Sequence, residues 1–347
     1  MQYNLKSVKE IDDVKGKTVL LRVDLDVPLK DGKIEDETRL NAWFETLEYL
    51  VRRGAKVIIA GHLGRPKGKD EKFSLFPIAS YLSKKINSKI QKSNIDGFEG
   101  WKLAQNVFLL ENLRFFRQEE ENDEEFSKKL AGLADIYVND AFSATHRNHA
   151  SIVGITKFIP SFAGLHLLKE VEVLSKVLED PKRPLCVIIG GAKIETKLPL
   201  VEKMHKFSDF VLVGGEIAEN TKILLKVQHE KLSGKKSMLL VADLTLDGKD
   251  ITQKSAENFL QIAQNAKTII WNGPMGLIEE KEYEKATEIL AKGIINLDAY
   301  KIVGGGDTIA FLNRHNLQDK FDFVSTGGGA MLEFLSGEKL PGLLVLE

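Results

Sequence analysis

Two lysines four residues apart, Lys193 and Lys197, follow an apolar run and two glycines in Cys186-Val187-Ile188-Ile189-Gly190-Gly191-Ala192-Lys193-Ile194-Glu195-Thr196-Lys197. If a helix begins here, both ammonium groups lie on one of its faces, because residues i and i+4 are neighbours on a helix surface. The glycines let the backbone turn tightly and approach a ligand. Ammonium groups beside bare backbone N–H donors suit a polyanion, most simply a nucleotide's phosphates. An ordinary turn from strand to helix with solvated lysines has the same local sequence, so the stretch alone leaves both readings open.

Two further glycine runs carry the same chemistry. In Gly304-Gly305-Gly306-Asp307-Thr308 the glycines expose N–H donors at a helix start, and Asp307 is placed to hold a divalent cation that bridges phosphates. Ser325-Thr326-Gly327-Gly328-Gly329-Ala330 forms a second anion nest. Tight turns and helix caps account for any one of these runs, less well for all together. No segment fits G-x-x-x-x-G-K-[ST], and no G-x-G-x-x-G opens the first βαβ unit. H-E-x-x-H, C-x-x-C and G-x-S-x-G are also absent, which weakens metalloprotease, thiol-redox and α/β-hydrolase readings.

The other half of the chain is rich in Arg and His beside expected strand ends: Arg22, Arg39, His62, Arg65, Arg114, His146, Arg147 and His149, with Asp24 and Asp26 near the first. In a parallel sheet such residues converge on one edge. Guanidinium groups forking onto oxygens, next to carboxylates, suit a small phosphorylated anion that also bears a hydroxyl.

The elements that must position these residues follow from apolar runs and their period. Thr18–Val23, Ala55–Ala60, Asn106–Leu110 and Asp135–Val138 read as buried strands, with helical patterns over Thr38–Leu50 and Phe76–Ile86. Glu119–Glu125 reads as the exposed, acidic start of a helix. Ile159–Gly164 marks a break, and a helix over Leu165–Leu178 bridges to a second α/β half. That half offers strands at the Cys186 run, Phe210–Val213, Ser237–Val241, Thr268–Trp271, Ile302-Val303 and Phe323-Val324. The expected fold is α/β: two doubly wound parallel-sheet domains joined by a helical hinge, with the C-terminal segment returning to the N-terminal domain. Residues 1–160, with 331–347 packed back on them, form the first domain, and 161–330 the second.

At 347 residues the chain is long enough for two domains with real cores, and a net charge of -1 implies no polycationic surface for nucleic acid. A single cysteine excludes a disulfide framework. With no signal-like N-terminus and no membrane-length apolar run, a soluble cytoplasmic protein is expected. An Arg/His basket for a phosphorylated acid and a lysine–glycine–carboxylate set for a nucleotide are joined most economically by phosphoryl transfer across an interdomain cleft. A carboxylate or phosphate acceptor is already ionised, so positioning and charge neutralisation carry the rate without a strong base.

Over nearly its whole length the sequence resembles the phosphoglycerate kinase family. The resemblance rests on seven motifs in order: Arg22–Pro28, His62–Pro66, Glu111–Phe115, Gly190–Lys193, Trp271–Gly276, Gly304–Thr308 and Ser325–Ala330. It implies a monomeric glycolytic enzyme using Mg²⁺ with ATP/ADP and hinge closure, converting ATP and 3-phospho-D-glycerate to ADP and 1,3-bisphospho-D-glycerate. By that resemblance Asp24 and Asp26 would orient the glycerate, and His62, Arg65, Arg114 and Arg147 would hold its 3-phosphate, with His149 nearby. Arg39 would reach the 1-carboxyl and the phosphoryl group in flight, Lys197 would meet that group from the other side, and Gly327 and Gly328 would stabilise it. Nucleotide contacts would fall to Lys193, Lys197, Gly214, Gly215, Asn272, Pro274, Gly276, Gly305, Gly306, Asp307 with its Mg²⁺, and Thr308, with Glu279 on the ribose.

Four departures stand out. Asp26 replaces the family's usual Asn, Glu216-Ile217 stands where a third glycine and a Met are usual, and the small residues before His146-Arg147 are reordered. Between Ala218 and Ser237, and again at Asp247–Thr252, the nucleotide half is shortened. The expectation is therefore a short member with a reduced nucleotide-binding half. The alternatives are a weakened or altered-nucleotide homologue that mainly binds phosphoglycerate, or another carboxylate phosphotransferase. The first would be expected to lose Arg39, Lys193, Lys197 or Asp307, and the second to lack this set of basic strand ends; all are present.

Overall fold

The computed structural model describes residues 3–192, 194–227 and 237–347. Two compact units divide the chain, Met1–Val173 with Lys339–Glu347, and Leu174–Glu338.

The first unit is built on a sheet of seven strands among the described residues: β1 (Thr18–Arg22), β2 (Lys56–Ala60), β3 (Gln91–Ile95), β4 (Phe98–Ala104), β5 (Val107–Leu110), β6 (Ile136–Asn139) and β7 (Ser161–Ala163), in the order β3-β4-β5-β2-β1-β6-β7. From β5 to β7 every pair is parallel. The apolar runs of β1 and β2 are buried on both faces, as strands covered on both sides must be. The chain passes from β1 to β2 on one side and later returns to β6 on the other, so the sheet has its switch point at the carboxyl end of β1. Crevices at such points are where open α/β sheets bind ligands.

The purely parallel sheet expected here is in fact mixed, since β3–β4 and β4–β5 are antiparallel. Strand β3 is Gln-Lys-Ser-Asn-Ile with no apolar run, so burial gives it no signature. The readable signal was the turn Asp96-Gly97, whose φ values of 46° and 87° match the paired positive values of a tight hairpin turn. The expected break at 159–164 contains β7, which pairs in parallel with β6. The single helix expected over 38–50 is two, Thr38–Ala42 and Phe44–Arg52, meeting at Trp43. Trp43 is fully buried there, and its indole Nε1 donates to the Asp24 carbonyl at 3.1 Å. Glu119, expected at an exposed helix start, is completely buried.

The second unit holds β8 (Leu185–Ile189), β9 (Phe210–Val213), β10 (Met238–Val241), β11 (Thr268–Asn272), β12 (Tyr300–Gly304) and β13 (Phe323–Ser325), all parallel, in the order β10-β9-β8-β11-β12-β13. The order reverses between β8 and β11, so the Gly190-Gly191 turn lies at a second switch point. Cys186 is the second residue of the wholly buried β8, and burial raises its thiol's pKa, leaving it an inert packing group.

Helix Leu165–Glu179 carries the chain from one unit into the other. Its first turn belongs to the first unit, where the Leu165 N–H donates to Thr46 Oγ1 at 3.0 Å and the Leu167 N–H to Asp140 Oδ1 at 2.8 Å. The division accordingly falls within this helix, at Val173/Leu174, and not ahead of it. Helix Gly329–Leu335 lies in the second unit, where the Met331 sulfur is 4.0 Å from Asn272 Nδ2. From Lys339 the chain belongs to the first unit: the Lys6 N–H donates to the Leu346 carbonyl at 2.9 Å, and that of Gly342 to the Thr145 carbonyl at 2.8 Å.

Candidate active site

In the first unit the carboxyl ends of β5, β2, β1 and β6 are neighbours, and each delivers part of the basic cluster. After β1 come Asp24 and Asp26, bridged by Arg39 from helix Thr38–Ala42. Arg39 Nε lies 3.5 Å from Asp24 Oδ2, while its Nη1 donates to the Asp26 carbonyl at 2.5 Å and sits 3.9 Å from Asp26 Oδ2. Asp24 Oδ2 is sealed from solvent and has no hydrogen-bond partner. Its charge is compensated by the Arg39 ion pair rather than by a hydrogen bond.

The β2 end supplies His62, Gly64 and Arg65. The Gly64 N–H donates to Asp26 Oδ1 at 2.9 Å, and its carbonyl accepts from Arg114 Nη1 at 2.6 Å, which ties the β1, β2 and β5 ends together. Asn112 fastens the same loops: its Nδ2 donates to the Leu63 and Phe73 carbonyls at 2.8 and 2.9 Å. Arg114 is buried and 3.4 Å from Glu120. Arg65 is exposed and Arg147, after β6, is half-buried; neither guanidinium has a hydrogen bond or ion pair among the described residues. Cations left free beside buried ones make an anion site.

The histidines confirm the sign of the field. Burial, then the charges of Arg22 and Arg114, hold His62 well below the usual imidazole range. Burial and Arg147 bring His146 down to about 4; burial with Arg114, Arg22 and Arg147 brings His149 down to about 3. His149 Nδ1 lies 3.9 Å from Glu119, but a ring kept neutral by burial and the surrounding arginines forms no ion pair there at pH 7. These imidazoles therefore act as neutral hydrogen-bonding groups.

In the second unit, Lys193 lies outside the described residues, whereas Lys197 is buried in helix Ile194–Phe207 and donates to the Gly190 carbonyl. The turns after β8, β9 and β11 touch backbone to backbone: Gly191 N–H donates to the Pro274 carbonyl at 2.7 Å, and Gly190 N–H to that of Asn272 at 2.9 Å. Gly273 shows why no side chain fits. Its φ is 97°, and a Cβ would stand 2.1 Å from the Gly190 carbonyl and 2.5 Å from Lys197 Nζ. Gly214 and Gly215 are buried against the same turns.

Gly305 caps helix Gly306–Arg314, whose first turn exposes Asp307 and buries Thr308; Thr308 Oγ1 accepts from the Gly273 N–H at 3.0 Å. Gly328, with φ of 50°, turns the chain from β13 into Gly329–Leu335, and the Gly327 N–H donates to Ser325 Oγ at 3.1 Å. Asn272, Pro274 and Gly276 line the β11 turn, and Glu279 is exposed three residues beyond it. No group of three or more His, Cys, Asp or Glu residues suited to a metal occurs among the described residues.

A family model described as phosphoglycerate kinase matches residues 8–244 and 225–338. The chain belongs to the phosphoglycerate kinase family. The phosphoglycerate kinase of Dictyoglomus turgidum is 40% identical over 383 residues, covering 97% of each chain. Two solved structures are also similar. The phosphoglycerate kinase of Pyrococcus horikoshii OT3 has a TM-score of 0.84 at 29% identity, covering 99% of this chain and 98% of that one. That of Coxiella burnetii has a TM-score of 0.78 at 32% identity, with the same coverage. The bilobal α/β fold expected from the motifs is thus the fold of the family.

Set within this family, the departures noted in the sequence have definite places. Asp26 keeps one oxygen on the Gly64 N–H, a bond an asparagine carbonyl oxygen would also accept. Glu216 is exposed at the start of helix Ile217–Val227. The 247–252 segment folds as a compact turn, with Asp250 buried, accepting from the Ile251 and Ala286 N–H groups and pushed up to about 6 by burial. Of the 218–237 stretch, where a shortening is expected from the sequence, residues 228–236 lie outside the described residues. No helix among the described residues is long and apolar enough to cross a membrane.

Proposed function

We infer that this chain is the enzyme that transfers the γ-phosphoryl group of ATP in line to the carboxylate of 3-phospho-D-glycerate, giving ADP and 1,3-bisphospho-D-glycerate. The observation that carries the reading is the cation-rich half-site at the first switch point, in a member of this family. Arg65, Arg114 and Arg147 with His62 would hold the 3-phosphate, His149 lying behind them. Asp24 would accept the substrate hydroxyl, and Arg39, its ion-pair partner, would face the carboxylate. On the second unit, Lys197 and the turn at Gly327 and Gly328 would face the phosphoryl group, with Lys193, Gly305, Gly306 and Thr308 on the nucleotide phosphates. Gly214, Gly215, Asn272, Pro274 and Gly276 would border the nucleotide, and Glu279 the ribose. Domain closure belongs to this reading, because donor and acceptor must share one reacting centre.

Asp307 fits Mg²⁺. The ion dehydrates reluctantly and is held by one or two carboxylates plus phosphate oxygens, and Asp307 is one exposed carboxylate at a helix start. Bound there, the ion would neutralise phosphate charge. The enzyme would act as a cytoplasmic monomer on these small molecules.

The reading also includes a short nucleotide half. What supports it is the sequence at 218–237 and 247–252. A coupled assay of 3-phosphoglycerate with Mg-ATP, repeated with GTP, tests both statements. Turnover with Mg-ATP is expected, and its ratio to GTP turnover reports on base recognition. Binding of phosphoglycerate without turnover on either nucleotide would leave only a binding protein.

Asp26→Asn provides a second test. The substitution keeps the acceptor for the Gly64 N–H and removes a half-exposed negative charge beside an anionic ligand. The KM for phosphoglycerate should fall about two- to fivefold, with kcat nearly unchanged. An unchanged KM would mean that the carboxylate does not face the ligand.

A further inference from the structure

Behind the basic cluster lies a chain of buried groups that the reaction scheme does not use. Arg22, the last residue of β1, is completely buried, as are Ser151 and Glu119. Arg22 Nε donates to Ser151 Oγ at 2.9 Å, its Nη1 to the Val23 carbonyl at 2.5 Å, and its Nη2 lies 2.8 Å from His62 Nδ1. Ser151 Oγ, already an acceptor from Arg22, donates its own proton to Glu119 Oε1 at 2.5 Å, and the Ser151 N–H donates to Glu119 Oε2 at 2.9 Å. The Ser151 carbonyl accepts from the Tyr137 hydroxyl at 2.6 Å, so this residue is held at backbone and side chain alike.

The direction of the bond to His62 is forced. A guanidinium has donors and no acceptor, so His62 Nδ1 must accept from Arg22. The neutral imidazole then carries its proton on Nε2, which has no hydrogen-bond partner among the described residues and is not sealed from solvent. We infer that Glu119, Ser151 and Arg22 form a positioning relay that fixes His62 in its Nε2–H tautomer, so that the ring presents a donor and not a lone pair to the phosphorylated acid. The inference rests on the assignment of His62 to that acid, made above. Burial and the neighbouring arginines keep the ring neutral, which makes the choice of tautomer decisive: the wrong one would set a lone pair against a phosphate oxygen. Glu119 supplies the buried negative charge that keeps Arg22 in place, and Ser151 converts it into an orientation.

The relay is tested on the full-length enzyme with Ser151→Ala, and with Glu119→Gln as a second variant in case the first does not fold, thermal unfolding being followed for both. The tautomer is read from ring nitrogen–proton correlation spectra of ¹⁵N-labelled protein, with His62 assigned by its loss in His62→Ala. The native enzyme should show the Nε2–H form alone. In the variants that form should give way to a mixture, and the KM for 3-phosphoglycerate should rise about fivefold with kcat within about twofold. In a His62→Ala background, Ser151→Ala should add little further to KM. An unchanged tautomer in a folded variant, or an undiminished KM penalty in the His62→Ala background, would overturn the relay and leave the network a purely structural one. A tautomer that shifts while neither His62→Ala nor Ser151→Ala alters KM would uphold the relay and instead overturn the assignment of His62 to the substrate.

Discussion

Lys197→Ala is expected to lower kcat by about 100- to 1,000-fold while leaving both KM values within about threefold. The reason lies in how the ammonium group is held. Lys197 projects from the first turns of helix Ile194–Phe207 and is buried, with its Nζ donating to the Gly190 carbonyl. A Cβ on Gly191 would come within 2.9 Å of that Nζ, and one on Gly273 within 2.5 Å, so the turns after β8 and β11 can enclose the ammonium only because both are glycine. A charge pre-placed in a water-poor cradle does not have to be reorganised when charge develops on the phosphoryl group, and donors of that kind act mainly in the transition state. Steady-state kinetics over both substrates would check it. A loss confined to KM would place Lys197 in ground-state binding of the nucleotide.

Arg39→Ala should reduce kcat/KM for phosphoglycerate by about 100- to 1,000-fold, and Arg39→Lys should recover only a small part of it. The guanidinium sits 3.5 Å from Asp24 Oδ2 and 3.9 Å from Asp26 Oδ2 while bonding the Asp26 carbonyl. Without it, a buried carboxylate and a half-exposed one would face an anionic substrate uncompensated. A lysine presents one point charge and cannot span these positions, so it would restore charge without geometry. A kcat/KM for Arg39→Ala close to that of the native enzyme would remove Arg39 from the reacting centre. Pairing Arg39→Ala with Asp24→Asn separates the two causes: relief in the double variant would attribute much of the loss to the unpaired Asp24.

The legible parts of the fold were those whose burial is two-sided. Strands β1, β2 and β8 carry unbroken apolar runs of three, four and five residues, because parallel strands covered on both faces leave no solvent side to record. Strand β3 escaped because its residues are polar and largely exposed at a sheet edge, where only the Asp96-Gly97 turn marks the hairpin. Glu119 was misread for a related reason. In a run of acidic residues the buried member looks like its exposed neighbours, and what distinguishes it is Ser151, thirty-two residues away.

The sequence by itself determined the two α/β halves, the family, and the inventory of charged groups: arginines and histidines after the first set of strands, lysines and glycine turns after the second. These are local properties, written in the residues following each strand. Only the tertiary structure decided which of these groups meet and in what state. The order β5-β2-β1-β6 makes four separate strand ends adjacent, buries Asp24 beside Arg39, and drives the histidines below their usual pKa range. Burial and Coulomb interaction depend on distances through space, so the same residues in sequence could have been solvated and ordinary. Packing also gives Lys197 a sharper meaning than its spacing did: the turn that leads into its own helix and the glycine turn after β11 enclose its charge.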